Sequence, residues 1–278
     1  MSLSTTYTLN NGTKIPAIGL GVYKAEPGKE VYEAVKSALE IGYRHIDTAS
    51  FYENESDVGR AIKDSGIPRD EVFVTTKVWN DEQGYEETKA AFQRSLERLE
   101  MDYVDLYLVH WPVPGKFTET YRALEEIYQE GKAKAIGVSN FLPHHLEELL
   151  LSASVIPAVN QIELHPQLQQ IETQEFCKKH NILIEAWAPL GKARYFDHPT
   201  LVKLANKHKK TPAQIIIRWQ FQSGIITIPK SVRKERQEEN VDIFDFELSD
   251  EDIKEMELMN LEKRIGKHPD EFDYGING

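Results

Sequence analysis

Four side chains that can move a proton or stabilise charge lie at or just beyond the ends of neighbouring apolar segments. Asp47, Lys77 and His110 each end such a segment, and Tyr52 follows Asp47 by five residues in a loop. If the segments are parallel strands, their carboxyl ends meet at one edge and the four groups converge there. A carboxylate, a phenol, an ammonium and an imidazole together suit proton transfer to an oxygen that is gaining charge.

Each of the four groups has a distinct role in such a site. A free tyrosine titrates near ~10, and we expect a buried Lys77 ammonium to lower the pKa of Tyr52 and make it a usable acid. Asp47 is expected to be the counter-ion that a desolvated Lys77 needs. A neutral His110 would hydrogen-bond a substrate carbonyl oxygen and polarise it.

The same residues allow other interpretations. Asp47 and Lys77 are compatible with an ordinary buried ion pair, His110 with a structural histidine, and Tyr52 with a loop aromatic. Their joint placement on three successive strand ends favours a functional role. A lysine at the end of a barrel strand is also typical of Schiff-base aldolases, but that chemistry would leave the anion site described below without a purpose.

Short apolar segments that alternate with amphipathic segments indicate the fold that positions these residues. The predicted strands lie near residues 17–21, 44–47, 72–77, 104–109, 134–138, 158–162, 183–187 and 225–228. The predicted helices lie near residues 29–41, 55–65, 85–99, 118–130, 144–152, 171–180, 211–222 and 234–240. Eight strand-then-helix units favour an α/β fold of the (β/α)8 TIM barrel type. The alternative is an open doubly wound sheet, whose G-x-G-x-x-G fingerprint is incomplete in the first turn, residues 19–25.

Additional elements flank the eight units. Residues 7–15 alternate around Asn11-Gly12, which predicts an N-terminal β-hairpin. Extra helices are predicted near 200–208 and 249–259, the second being an extra C-terminal helix. No linker or change of composition divides the chain, so we expect a single barrel domain over residues 1–278.

A cluster of basic side chains follows the last predicted strand and opens a helix. Lys230, Ser231, Arg233 and Arg236 lie where barrels often hold phosphate, at a helix N-terminus whose N–H groups favour anions. The chain as a whole carries a formal charge of −12, so this local basic pocket indicates an anionic ligand. The alternative is a solvated basic start of a helix.

Polar and aromatic side chains end the fifth, sixth and seventh predicted strands. Ser139 and Asn140 end one, Gln161 ends another, and Trp187 ends a third. Hydroxyl and amide groups suit a carboxamide such as that of nicotinamide, and an indole offers a flat surface for an aromatic ring. The alternative for all of them is packing of the barrel interior with local capping.

Composition limits the classes of function. Of 278 residues, 33 are basic and 45 acidic, which disfavours nucleic acid and anionic membranes as partners. The single cysteine, Cys177, excludes an internal disulfide, and we expect it to be a small buried residue rather than a catalytic thiol. Neither an apolar leader nor a run of about 18 apolar residues is found, so we expect a cytoplasmic protein.

Five motifs resemble those of the aldo-keto reductases, above all of bacterial members that reduce small aldehydes, dicarbonyls and diketo sugar acids such as 2,5-diketo-D-gluconate. The motifs are GYRHIDTA at 42–49, LYLVHWP at 106–112, IGVSNF at 136–141, NQIELHP at 160–166 and IPKS at 228–231. The resemblance extends from the Asn11-Gly12 hairpin to about Asn260, nearly the whole chain. It implies a (β/α)8 barrel that reduces aldehydes and ketones with NADPH, without a metal, by direct hydride transfer.

The resemblance also implies roles for individual residues. The implied catalytic tetrad consists of Asp47, Tyr52, Lys77 and His110. The implied cofactor contacts, on the carboxamide, nicotinamide ring, 2′-phosphate and adenine, are Gly21, Ser139, Asn140, Gln161, Trp187, Leu190, Lys230, Ser231, Arg236, Glu239 and Asn240. The implied substrate contacts are Tyr23, Trp79, His110 and Trp111. Most family members carry Tyr where Trp187 stands, a change that should preserve stacking.

The short tail after Asn260 predicts an open, permissive substrate site. The family resemblance also implies a monomer and a small carbonyl compound as the substrate. A different class of function is a barrel that binds NADPH without turnover and acts as a redox-sensing regulatory subunit, because a fold alone does not fix function. The intact tetrad favours the enzyme.

Overall fold

The computed structural model describes residues 2–272 of the chain. It begins with the expected hairpin, in which β1 (Thr6–Thr8) pairs antiparallel with β2 (Lys14–Pro16). Gly12 takes a φ of 88°, the left-handed conformation that the turn requires and that glycine adopts without strain. The side chain of Ile15 is completely buried, so the hairpin packs onto the rest of the fold.

Eight parallel strands follow and form one sheet in which each strand pairs with its neighbour in sequence. They are β3 (Leu20–Gly21), β4 (His45–Asp47), β5 (Phe73–Val78), β6 (Leu106–Val109), β7 (Ile136–Ser139), β8 (Val159–Glu163), β9 (Leu183–Trp187) and β10 (Ile226–Thr227). The sheet closes because Thr227 pairs with Ile18, and Gly21 with Lys230. The predicted eight-stranded barrel is therefore confirmed, and the open doubly wound alternative is wrong.

Ten helices surround this sheet in the described part of the chain. They are α1 (Lys29–Ile41), α2 (Glu55–Asp64), α3 (Tyr85–Leu99), α4 (Phe117–Gln129), α5 (Pro143–Leu150), α6 (Ile171–Lys179), α7 (Pro199–His208), α8 (Pro212–Gln222), α9 (Lys234–Val241) and α10 (Asp250–Glu257). The two additional helices, α7 and α10, pack on each other through the ion pairs Lys207–Asp252 at 2.7 Å and Lys203–Glu255 at 2.6 Å. No helix in residues 2–272 is long and apolar enough to cross a membrane.

The first and last strands of the barrel are shorter than expected. Only Leu20–Gly21 and Ile226–Thr227 form regular strand where residues 17–21 and 225–228 were predicted. The two strands lie side by side where the barrel closes, and single backbone pairs rather than a continuous ladder hold them together. The apolar character of such segments predicts that they are buried. It does not predict how many of their residues pair with the neighbouring strand.

The amino-terminal end of the barrel is filled with apolar side chains. Leu9 and Ile15 of the hairpin cluster there with Phe73, Leu106 and residues of two further strands, Val159 of β8 and Ile226 of β10. Filling this end leaves the ionisable side chains concentrated toward the carboxyl ends of the strands, the end at which barrel enzymes place their sites. The fold thus places the predicted groups at one mouth.

Candidate active site

A buried ion pair lies at the centre of the barrel mouth. Lys77 of β5 is completely buried, and its Nζ lies 2.8 and 2.9 Å from the two carboxylate oxygens of Asp47 on the neighbouring strand β4. The same ammonium donates to the backbone carbonyl of Thr48 at 2.9 Å. Burial is the largest influence and lowers the pKa of Lys77, but the charge and hydrogen bonds of Asp47, together with Tyr52 and Glu185, raise the pKa above its ordinary value. Lys77 is therefore cationic, which disfavours the Schiff-base interpretation, since that chemistry needs a neutral amine.

Tyr52 lies directly against this ion pair. It ends a single turn of 3₁₀-helix (Ser50–Tyr52), and Lys77 Nζ lies 3.4 Å from its hydroxyl oxygen. Because Lys77 is the donor in this contact, the phenolic proton of Tyr52 is free to point at another acceptor. Burial raises the pKa of Tyr52 to about 12 although Lys77 opposes the rise. The expectation that Tyr52 would have a lowered pKa is therefore wrong, because desolvation of the phenolate outweighs one nearby cation.

His110 completes the group. Its ring centroid lies 5.8 Å from that of Tyr52 and 5.0 Å from that of Trp79. Burial, and then the charge of Lys77, hold the pKa of His110 well below its usual range. Its Nδ1 is buried without a hydrogen-bond partner among the described residues. The imidazole is therefore neutral, as expected for a group that polarises a carbonyl by hydrogen bonding.

The predicted amide and hydroxyl residues form one hydrogen-bonded cluster beside these groups. Asn140 Nδ2 donates to the His110 carbonyl at 3.0 Å, and Trp187 Nε1 donates to Asn140 Oδ1 at 2.8 Å. Ser139 Oγ donates to the Gln161 carbonyl at 2.8 Å. His110 directly follows β6, Trp187 ends β9, and β7 and β8 lie between these two strands. The hydrogen bonds through Asn140 therefore fix the indole of Trp187 relative to His110 across the mouth.

Gln161 is the residue of this cluster that can still accept a hydrogen bond. Its Nε2 donates to Asp47 Oδ2 at 2.8 Å and to Glu185 Oε1 at 3.0 Å, so both of its amide hydrogens are used. No hydrogen bond to Gln161 Oε1 is present in the described part of the chain. The side-chain oxygen can therefore receive an N–H from a ligand carboxamide.

Glu185 is a member of the site that the sequence did not identify. It lies in β9, is completely buried, and is connected to the Asp47 carboxylate through the Gln161 amide. Burial, and then the charge of Asp47, raise the pKa of Glu185 to about 8. A signal was present in the sequence, because an acidic residue inside the apolar segment 183–187 is rarely buried without a reason.

Aromatic side chains form the walls of the mouth. The exposed Tyr23 lies with its ring centroid 5.0 Å from that of Tyr52. Phe51, which is 46% exposed, stacks on Trp79 at 3.7 Å, and Phe272 stacks on Trp111 at 4.4 Å. Tyr23, Trp79 and Trp111 were predicted. Phe51 adjoins Tyr52 in sequence and follows from that neighbour, whereas no sequence signal connects Phe272 with Trp111.

The tail after α10 returns to the barrel mouth. The backbone N–H groups of Ile265 and Gly266 donate to the two oxygens of Glu163 at 2.6 and 2.9 Å. A methyl group added at Gly266 would lie 2.5 Å from Trp187 Cη2, so the tail contacts the edge of that indole. The tail was expected to leave the site open, but its described part covers one side of the mouth.

The basic segment after β10 has cations that no acid pairs with in residues 2–272. Lys230, Arg233 and Arg236 are exposed, and the structure shows no ion pair for any of them within residues 2–272. Lys234 differs, because it lies 3.6 Å from Glu40. Ser231 is buried, and its hydroxyl bonds to Arg233. In a chain of net charge −12, these exposed cations beside the start of α9 are available to an anionic ligand.

The remaining predicted cofactor residues lie around this segment and the end of β9. Gly21 pairs with Lys230 where the barrel closes, and Leu190 follows Trp187 by three residues and packs on the core. Asn240 is buried in α9. Glu239 Oε1 already accepts the hydroxyl of Thr211 at 2.6 Å, so only its other oxygen remains for a ligand.

Comparisons with known proteins agree with this arrangement. The model of the Aldo/keto reductase family matches residues 17–260. Glyoxal reductase of Bacillus subtilis (strain 168) is 53% identical over 271 residues, which cover 98% of each chain. Methylglyoxal reductase DkgA of Escherichia coli (strain K12) is 44% identical over 98% of this chain and 99% of its own. A crystal structure of a Gox0644 mutant in complex with NADPH is 45% identical, with a TM-score of 0.93 over 97% of this chain and 98% of the other.

Proposed function

Because the chain belongs to the aldo/keto reductase family, we propose that it reduces small aldehydes and α-dicarbonyls such as methylglyoxal with NADPH, using Tyr52 as the proton donor. The observation that carries the proposal is the contact of Tyr52 with the buried Lys77–Asp47 pair. It combines a phenol whose proton is free with a fixed cation beside the oxygen that becomes charged when that proton leaves.

The residues present fit NADPH as the cofactor. Gln161 Oε1 is available for the carboxamide, and the half-buried indole of Trp187 is held in place by Asn140. The unpaired cations Lys230 and Arg236 suit the 2′-phosphate that distinguishes NADPH from NADH. When bound, NADPH supplies the hydride, and the protein supplies alignment and electrostatics.

Each of the four residues of the proposed catalytic tetrad has its own role in the reaction. Tyr52 donates its proton to the substrate oxygen, and the Lys77 charge stabilises the phenolate left behind. Asp47 holds Lys77 in place and keeps it charged. His110, neutral and at the same mouth, donates a hydrogen bond to the substrate oxygen and orients the carbonyl carbon.

The aromatic walls indicate the class of substrate. Trp79 and Trp111, with Phe51 and Phe272 stacked on them, offer flat apolar surfaces. We propose a permissive site for small carbonyls, which an aldehyde panel tests. Activity on a single member of a varied panel would contradict permissiveness.

The central test compares wild type with Tyr52→Phe. We expect wild type to consume NADPH, followed by its absorbance, with methylglyoxal and with a nitrobenzaldehyde. Tyr52→Phe should lose about 10²- to 10⁴-fold in kcat, the usual contribution of a positioned acid, while still binding NADPH. Tyr128→Phe is the matched control, because it removes a phenolic hydroxyl from α4, away from the mouth, and should retain activity.

Two outcomes would change the proposal. If Tyr52→Phe kept wild-type turnover, another group would be the acid. If wild type bound NADPH but reduced nothing across a broad carbonyl panel, the alternative of an NADPH-binding regulatory subunit would replace the enzyme.

We also propose a cytoplasmic monomer. The single thiol supports a reducing compartment, since Cys177 is buried and burial raises its pKa to about 12, so it is neither a disulfide partner nor a reactive thiolate. Light scattering of the purified protein with and without NADPH tests the oligomeric state.

A further inference from the structure

Glu185 is a buried carboxyl group with few partners. It points into the barrel from β9 and is 0% exposed. The hydrogen bond from Gln161 Nε2 to Oε1, at 3.0 Å, is the one that the structure shows for its carboxyl group within residues 2–272. Its Oε2 is buried and has no hydrogen-bond partner in the same residues. A carboxylate in this position would leave a charge desolvated and half unsatisfied, whereas a carboxylic acid would not carry that charge.

Gln161 connects this carboxyl group to the catalytic ion pair. The same Nε2 donates to Asp47 Oδ2 at 2.8 Å and to Glu185 Oε1 at 3.0 Å. The Lys77 ammonium, by contrast, is occupied by Asp47, Thr48 and Tyr52. No hydrogen of Lys77 is left for Glu185, so the hydrogen-bonded path between Glu185 and Asp47, the partner of Lys77, passes through the Gln161 amide within residues 2–272.

The other groups around Glu185 do not neutralise it. From β4, His45 Nε2 lies 3.9 Å from Glu185 Oε1, and burial lowers the pKa of His45 to about 3, so the imidazole is uncharged. Asp47 on β4 adds negative charge and Lys77 on β5 adds the positive charge that Asp47 already balances. On the other side, β10 (Ile226–Thr227) brings no ionisable side chain.

We propose that Glu185 is a positioning residue for the reduction. As a neutral acid, Glu185 holds the Gln161 amide with its oxygen toward the mouth and adds no negative charge that would offset the effect of Lys77 on Tyr52. Ionisation of Glu185 suppresses turnover. The inference rests on the proposed function and assigns a role to a residue of the same site. Burial, and then Asp47, raise the pKa of Glu185 to about 8, which brings the ionisation near physiological pH.

The expected effect follows from the charge of the cluster. With Glu185 neutral, Asp47 and Lys77 cancel, and loss of the Tyr52 proton leaves one net negative charge. With Glu185 ionised, the same step leaves two. In a buried site of effective dielectric about 20, one more full charge within the same cluster changes a rate by at least about tenfold. The kcat of wild type should therefore fall on the order of tenfold as the pH passes through about 8.

The first test is the pH profile of kcat for wild type and Glu185→Gln. The amide keeps the shape of the side chain and cannot ionise, so its kcat should stay level through the range in which wild type declines. Glu97→Gln, on the exposed face of α3, is the matched control and should follow wild type. A Glu185→Gln profile that declines over the same pH range as wild type overturns the proposal, whether or not its level is lower, because a merely structural role would change the rate at all pH values alike.

The second test needs neither turnover nor a variant. In infrared spectra of wild type labelled with ¹³C-glutamate, a protonated carboxyl band that shifts with the label should be present near neutral pH and disappear through about 8. A missing band overturns the proposal even if the enzyme is an active reductase. A band that is present when no carbonyl is reduced shows that the proposed function has failed but the protonation of Glu185 has not.

Discussion

Removing Lys77 tests whether the buried ion pair is organised as the structure shows. In Lys77→Met, an apolar side chain of similar length fills the volume, but Asp47 loses the ammonium that lies 2.8 Å away. Gln161 remains as a donor to Asp47, and a neutral amide cannot compensate the charge. A carboxylate that is 2% exposed and has no cation must take up a proton or destabilise the fold.

The cost of that protonation sets the magnitude. Holding a carboxyl of ordinary pKa ~3.9 in its acid form costs about 4 kcal/mol at pH 7 and about 1.5 kcal/mol at pH 5, because each unit is worth about 1.4 kcal/mol. The intact pair contributes little by itself, since desolvation offsets its attraction. We therefore expect the free energy of unfolding of Lys77→Met to be lower than that of wild type by about 4 kcal/mol at pH 7 and by much less at pH 5.

The sign of this pH dependence is the discriminating feature. In the variant the folded-state pKa of Asp47 is raised above its unfolded value, so stability is highest in acid and is lost as the pH rises. Urea unfolding at several pH values measures it, with NADPH oxidation measured in parallel. The double variant Asp47→Asn/Lys77→Met is the matched control: it should recover most of the stability and none of the activity, because Tyr52 still lacks its cation. Equal destabilisation at pH 5 and pH 8 would refute the reasoning.

Three further expectations concern the anion site, the tail and acid stability. Arg236→Ala should raise the KM for NADPH far more than the KM for NADH, because Arg236 is proposed to bind the 2′-phosphate. The control Lys234→Ala removes a cation paired with Glu40 and should change neither KM. Equal effects of Arg236→Ala on the two KM values would show that Arg236 does not contact the phosphate. Gly266→Ala should weaken NADPH binding, measured by fluorescence quenching, because its methyl group would lie 2.5 Å from Trp187 Cη2. Lys267→Ala, at the exposed neighbouring position, is the control and should bind NADPH as wild type does. Unchanged binding in Gly266→Ala would show that the tail does not support Trp187. Burial, and then His144, lower the pKa of His145 to about 4, so the melting temperature should fall as the pH drops from ~6.5 toward 4, and less so in His145→Gln, whose amide can also accept from the Leu142 N–H. Identical acid profiles would show that this histidine does not control acid stability.

Much of the fold follows from local patterns because the barrel repeats one unit. Each strand is short, apolar and followed by an amphipathic helix, so strands such as 104–109 and helices such as 29–41 are recognisable in isolation. Where a ladder depends on distant partners, as at the pairing of Ile18 with Thr227, sequence pattern predicts the segment but not its length.

The same distinction applies to the site: residues at strand ends can be predicted from the sequence, and contacts that depend on distant segments cannot. Asp47, Lys77 and His110 are tied to strand ends, so the barrel itself brings them together. Phe272 contacts Trp111 in a tail that Glu163 binds through the backbone N–H groups of Ile265 and Gly266, and backbone groups leave no signature in the side-chain pattern. Glu185 was visible as an acid in an apolar strand, but its link to Asp47 depends on the orientation of the Gln161 amide.

The pKa of Tyr52 shows why counting neighbours is insufficient. Lys77 does act to lower it, but the environment that holds Lys77 in place is also the environment that desolvates the phenolate, and the second effect is larger. For a reductase this outcome is compatible with the chemistry, since the acid must carry its proton when the carbonyl arrives. The contribution of Lys77 is then to reduce the cost of the phenolate at the moment the proton leaves, a role that depends on its charge being balanced by Asp47 alone.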